Sequence, residues 1–257
     1  MPSFFFKIVS LLALSIIVIG CSPNSDDNSR RMIITSLSSV DSHGSRYSVD
    51  FNYINHKVSL LQVKDDYGIF YKCRYKHNGD TIICIGDYDG RLLSDTLTLK
   101  KGIVVNRFWK YGSYNGSVDY LYSNRKELIG TAGAGGTSWL WGEWGVSAFY
   151  LASGIRATLY YYDEKNPFFD KPVDPTGLLM NLCCEEFLQS PFYVTDWFGI
   201  RFKKLIQAVE LTVPNTSYYR DYPKTIFFQY PASTSGRIEK ILISTDTGWS
   251  CTVNIGY

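Results

Sequence analysis

The hydrophobic pattern runs mainly at period two. From Tyr47 onward, Tyr47, Val49, Phe51 and Tyr53 fall on one side of an extended chain and Ser48, Asp50 and Asn52 on the other. That alternation predicts a strand with one face buried and one wet. Asn55-His56 turns it back into Val58 to Val63, and Asp65 to Gly68 makes the next break. Phe70 to Lys76 then pairs through Asn78-Gly79 with Thr81 to Ile85, and Asp89-Gly90 returns the chain through Arg91 to Leu99. Lys101-Gly102 leads into Ile103 to Tyr111, and Val118 to Tyr122 turns at Asn124 into Leu128-Ile129. The run Ile82-Ile83-Cys84-Ile85 is apolar throughout, which predicts a strand covered on both faces. Gly130 to Gly145 interrupts the pattern with Gly133, Gly135 and Gly136 followed by Trp139, Trp141 and Trp144.

Alternation resumes in Ile155 to Tyr162 and stops at Asn166-Pro167. Thr176 to Leu188 carries the best helical stripe, through Leu178, Leu179, Leu182, Cys183 and Phe187, with Ser190-Pro191 ending it. Further strands are expected near Val209 to Val213, Thr225 to Tyr230 and Arg237 to Ser244. The last strand alternates Trp249, Cys251, Val253, Ile255 and Tyr257 against Ser250, Thr252, Asn254 and Gly256. The prediction is one all-β domain over 47–257, a single antiparallel meander of hairpins. It would form a strongly curved sheet or partly open barrel with one short helix as plug or cap.

The start of the chain obeys a different rule. Ile8 to Ile19 is an apolar run too short to cross a bilayer as a helix and suited to a signal-peptide core. Val18-Ile19-Gly20-Cys21 then resembles the bacterial lipoprotein signal, which implies removal of residues 1–20, lipid on Cys21 and anchoring to the outer membrane. Residues 21–46 lack a lasting apolar period and read as the lipidated Cys and a flexible tether. Ser25-Asp26-Asp27 resembles the surface-export signal of Bacteroidetes lipoproteins, or is simply solvated linker.

A short phrase recurs along the hairpins. Phe51-Asn52-Tyr53 precedes Lys57-Val58, Tyr120-Leu121-Tyr122 precedes Glu127-Leu128, and Phe228-Gln229-Tyr230 precedes Gly236-Arg237-Ile238. Its spacing is uneven, so the chain is a meander of similar hairpins and not a fixed-period array. With the lipoprotein start and Tyr160-Tyr161-Tyr162-Asp163-Glu164-Lys165-Asn166-Pro167-Phe168, these hairpins resemble Bacteroidetes lipoproteins of unknown function described as having a porin-like fold. The resemblance implies the fold and no activity.

Composition narrows the function classes. There are 20 Tyr, 15 Phe and 6 Trp beside 21 Gly, which favours strands and turns. Lys and Arg number 26 against 24 Asp and Glu, so nothing marks a nucleic-acid partner. Only three His occur, no zinc spacing is present, and neither Gly-x-Ser-x-Gly nor His-Glu-x-x-His is found. Asp87-Tyr88-Asp89-Gly90 lacks the Gly and Glu that a calcium loop would need at positions 92 and 98, which hold Leu92 and Thr98. No metal, cofactor or catalytic residue is therefore expected, and the protein is predicted to bind without catalysing.

Two local features carry alternatives. A two-residue turn at Asn78-Gly79 would set Cys73 directly opposite Cys84, close enough for a disulfide; otherwise both are buried thiols. Glu143 among Trp139, Trp141 and Trp144 makes a candidate site for a polysaccharide or an envelope protein, since aromatic faces stack on sugar rings. With a second acid it would suit a glycan hydrolase, and without a ligand it is a loop burying its own indoles. The C-terminal strand ending in Tyr257 also resembles the closing strand of an outer-membrane barrel, so a membrane-embedded barrel and a purely structural envelope protein stand as rivals.

Overall fold

A computed structural model describes residues 33–257 apart from 89, 134–136, 151–152, 170, 178–195, 199–201, 215–221 and 232–236. Its strands run β1 (Ser36–Asp41), β2 (Arg46–Ile54), β3 (Lys57–Asp65), β4 (Gly68–Asn78), β5 (Thr81–Tyr88), β6 (Arg91–Lys100), β7 (Ile103–Tyr111) and β8 (Tyr114–Tyr122). They continue with β9 (Leu128–Gly133), β10 (Ser138–Trp141), β11 (Val146–Tyr150), β12 (Arg156–Lys165), β13 (Lys204–Thr212), β14 (Thr225–Gln229), β15 (Lys240–Thr245) and β16 (Ser250–Gly256). Each pairs antiparallel with its neighbours in sequence, and β1 pairs with β16 from Ser36↔Gly256 to Asp41↔Cys251. The meander is as expected, but the barrel is closed where a partly open one was predicted.

Closure depends on residues 36–41, which the polar reading places in the tether. Leu37, Ser39 and Asp41 point inward and are buried, while Val40 is exposed. The strand is short and half serine, so its period of two is faint, and its two partner strands give it a conformation. The helix expected over Thr176 to Leu188 lies mostly outside the described residues. Its first two positions belong to a one-turn 3-10 helix, Pro175–Gly177, and no α-helix occurs among the described residues. None of those residues forms a helix long and apolar enough to cross a membrane.

The two faces of the wall differ chemically. Inward positions, among them Leu37, Leu61, Leu97, Val209 and Val253, are completely covered. A round barrel of sixteen strands would enclose an aqueous channel, so such burial means that the interior is packed. Part of the filling comes from Trp197 and Phe198, between β12 and β13. Trp197 sets its ring edge-on to Tyr75 and His77, at centroid distances of 5.2 and 5.6 Å, and Phe198 meets Tyr120 at 4.9 Å. Asn166 anchors the β12–β13 connection by donating to Asp174 and to the Phe202 carbonyl, both at 2.9 Å. Outward rows are mostly polar, as in Asp50↔Gln62↔Lys72 and Thr158↔Glu210. Ile82 and Cys84 face in, whereas Ile85 is 58% exposed on the outside, so the apolar run does not mark a strand covered on both faces.

Among the described residues one ion pair lies inside. Asp95 is fully covered and accepts two bonds from Arg107, 3.0 Å from Nε and 3.1 Å from Nη2. Burial raises the Asp95 carboxyl above the usual range, with Arg107 acting the other way.

Candidate functional site

The predicted site residues separate on folding, and the reason is a repeating device at one end of the barrel. Register shifts fall at Asn52/Tyr53, Thr98/Leu99, Leu121/Tyr122 and Leu140/Trp141. Each adds a residue to one strand and breaks the ladder there. Carbonyls beside these shifts are satisfied by an aromatic side chain from the following strand: Val58 by His77 (3.0 Å), Val104 by Tyr122 (2.6 Å) and Leu128 by Trp141 (2.6 Å). Tyr161 donates to Val146 in the same way, and Tyr53 and Tyr257 donate to Ile34 and Ile238 at 2.6 Å. In Phe51-Asn52-Tyr53 and Tyr120-Leu121-Tyr122 the recurring phrase thus places an inward aromatic donor at a bulge, whereas Phe228-Gln229-Tyr230 has no register shift. Trp139-Leu140-Trp141 is that phrase in tryptophan, matching Tyr120-Leu121-Tyr122.

The tryptophans accordingly have three different settings. Trp139 is 3% exposed, stacks on Phe149 at 5.2 Å and donates to the Thr137 hydroxyl; it is core. Trp141 is half-buried with its N–H committed to Leu128. Trp144, 38% exposed, lies in the β10–β11 turn with the Lys204 ammonium 3.9 Å from its ring centroid. As a ligand-binding trio the cluster is therefore corrected: alternation sends Trp139 inward, and only Trp141, Trp144 and the exposed Glu143 stay near the rim.

Beside that turn is a cleft of about 550 Å³. It collects Lys101 and Gly102 from the β6–β7 turn, Arg125, Lys126 and Glu127 from the β8–β9 turn, Trp141 to Glu143 and Gly145 from β10–β11, and Phe169 and Lys203 from the β12–β13 connection. Gly142 N–H donates to the Gly145 carbonyl at 2.8 Å, and Gly145 has φ 144°, a conformation that holds the turn open. Lys203 ties the connection to the same turn, its N–H donating to the Trp144 carbonyl (2.8 Å) and its ammonium to the Glu143 carbonyl (3.1 Å). The β1 start and β16 end lie at this end of the barrel, since β2–β3, β6–β7, β8–β9 and β10–β11 all turn there.

Glu127 is the second acid that sequence reasoning did not nominate. Its carboxylate accepts the Ser123 hydroxyl at 3.0 Å. Lys101, Arg125, Lys126 and Lys203 were missed as well, because single cations in separate turns have no spacing signature. Only closure of the wall brings them together.

Cys73 and Cys84 do not form the proposed bridge. The turn is Gly79-Asp80, with Asn78 paired to Thr81, so Cys73 faces Gly86 and Cys84 faces Tyr75. Both are buried free thiols. A Cβ on Gly86 would strike the Lys72 carbonyl oxygen and come 2.5 Å from Cys73 Sγ, so this close approach of β4 to β5 requires glycine. Burial, first of all, raises the Cys84 thiol far above its ordinary range. Cys21 lies outside the described residues. Among the described residues no three His, Cys, Asp or Glu side chains gather as metal ligands.

Comparison with solved structures bears on the fold. A porin-like protein from Bacteroides uniformis superposes with a TM-score of 0.63 at 10% identity, over 87% of this chain and 97% of its own. A porin-like protein from Bacteroides vulgatus gives 0.52 at 10% identity, over 88% and 98%. The chain is thus similar to porin-like proteins in architecture. No protein-family model matches the chain, and no curated protein is similar to it.

Proposed function

We propose that this is an outer-membrane-associated barrel whose lumen is filled, which does not catalyse, and which binds a glycan or an envelope protein at the cleft end. The supporting observation is the amphipathy of the wall: covered apolar side chains inside, and Lys72, Arg74, Asp50 and Glu210 outside. A lipid-facing wall needs an apolar band about 25 Å tall, and one Arg or Lys near its middle costs roughly 2–4 kcal/mol. This wall suits water, and lipid on Cys21 would supply the attachment. Ser36 follows Cys21 by 15 residues, so the cleft end would stay within roughly 50 Å of the membrane.

The rival reading, a membrane-embedded barrel, has the fold likeness to porin-like proteins on its side, which speaks for it more than for glycan binding. The two separate experimentally. Residues 22–257 made without detergent should be monodisperse and folded, and a requirement for detergent would hand the case to the embedded barrel. Retention on a glycan panel, lost in Phe169→Ala/Lys203→Ala, would support the cleft. Palmitate labelling should vanish in Cys21→Ala, and Glu143→Gln should abolish no turnover.

A further inference from the structure

Building on the reading of the cleft as a ligand site, we infer that it takes an acidic saccharide, a sugar bearing a carboxylate or phosphate, gripped first by Lys101 and Lys126. Two independent observations lead there.

The first is backbone conformation. Four non-glycine residues among those described have positive φ: Asn55, His56, Lys101 at 54° and Lys126 at 65°. Asn and His are enriched in that region, whereas a lysine is disfavoured because its Cβ crowds the following carbonyl. Both lysines line the same cleft, and Lys126 Nζ lies 3.3 Å from the Lys101 carbonyl. Asn or Gly would suit either turn better. Strain held at two neighbouring turns that share a cavity points to a use for the side chains.

The second is the chemistry of the lining. Among the described residues four cations meet two carboxylates there, and apart from the Trp141 indole, whose N–H is committed to Leu128, every polar side chain in the lining is charged. Among the described residues no Asn, Gln, Ser, Thr or Tyr lines the cleft, so they offer none of the groups that both donate and accept and that would fix neutral hydroxyls. Among the described residues none of the four cations forms an ion pair with a carboxylate. Lys126 and Lys203 donate only to backbone carbonyls, and Glu127 is already engaged by Ser123. The surplus charge is therefore available to an anion. Trp141 and Phe169 add apolar surface, with Phe169 38% exposed, so a sugar ring fits beside the anionic group.

The test uses the full chain in non-ionic detergent, titrated with oligogalacturonate, mannose 6-phosphate, neutral maltooligosaccharide and glycerol 1-phosphate, the last as a lipid-headgroup fragment. At least one acidic sugar should bind in preference to the neutral one. Lys101→Asn/Lys126→Asn should weaken it about tenfold, while Lys101→Arg/Lys126→Arg retains it. The same Asn variant should unfold at a temperature higher by about 2–4 °C, because relief of strain and loss of binding go together only where the lysines serve a ligand. A lower unfolding temperature would make them structural and sink the inference. Equal binding of the neutral sugar, untouched by the Asn variant, would overturn the acidic assignment and leave the cleft reading standing. Binding of glycerol 1-phosphate but no sugar would transfer the site to lipid headgroups. Binding of none would remove both readings.

Discussion

The two ends of the barrel are made of the same part, a hairpin turn, and use charge in opposite ways. At the end away from the chain termini, carboxylates serve their own backbone. Asp41 accepts the N–H of His43 and Ser45 at 2.8 and 2.9 Å, Asp65 those of Tyr67 and Gly68, and Asp87 that of Gly90. Asp246 clamps Lys224 and Thr225 across two loops. The local field is negative: the half-buried Tyr47 hydroxyl is pushed up to about 12, by burial first and then by Asp65, Asp66 and Asp41. At the terminal end the cleft turns carry Lys101, Arg125, Lys126 and Lys203 instead, two of them in strained backbone, and among the described residues no carboxylate forms an ion pair with these four. One end uses charge to stabilise turns, and the other gives up turn stability to keep charge free.

Experiments can sharpen that contrast, beginning with a scale set between the ends. Arg107→Met leaves Asp95 buried without its cation and should cost about 3–5 kcal/mol in denaturant unfolding. Asp95→Leu/Arg107→Met should recover most of it, and failure to recover would mean that the pair does more than neutralise itself. Trp139→Ala should cost a similar 3–5 kcal/mol as a core truncation, against about 1 kcal/mol or less for Trp144→Ala, where an exposed cation–π contact is lost. Equal losses would erase the boundary drawn here between core and rim. Asp41→Ala strips two backbone donors of a charged acceptor and should destabilise by about 1.5–3 kcal/mol, opposite in sign to the lysine substitutions at the other end. If both ends responded with the same sign, the comparison would collapse.

The smallest effect is pH dependence. The folded-state pKa of Asp95 is raised, so its stabilising contribution is complete below the unfolded value of about 3.9 and is lost as pH rises through the folded value. Wild type should therefore lose stability relative to Asp95→Asn on going upward from pH 4. A difference that stayed flat would show that Arg107 cancels the burial.

Much of the wall was legible because one face of nearly every strand is buried, which imposes alternation that a reader can count. The misses have the same origin. In β1 the inward set is Leu37, Ser39 and Asp41, too polar to announce itself, and in β5 an apolar outward residue, Ile85, imitated a strand covered twice. The cysteine register failed by two residues because Asn78-Gly79 and Gly79-Asp80 are both plausible turns, and the second sets Gly86, where a Cβ would strike the Lys72 carbonyl and Cys73, opposite Cys73. For the site, the tryptophan loop was visible and Glu143 does line the cleft, yet Trp139 belongs to the core.

Sequence alone determined the hairpin order, the inward face of most strands and the aromatic phrase at the bulges, since each rests on residues within a few positions of one another. Tertiary structure alone decided that β1 meets β16, that Trp197 and Phe198 pack against inward residues of the wall, and that turns from β6 to β13 share one cleft. Those outcomes join residues far apart in the chain, and no local pattern encodes where a closing wall will bring them.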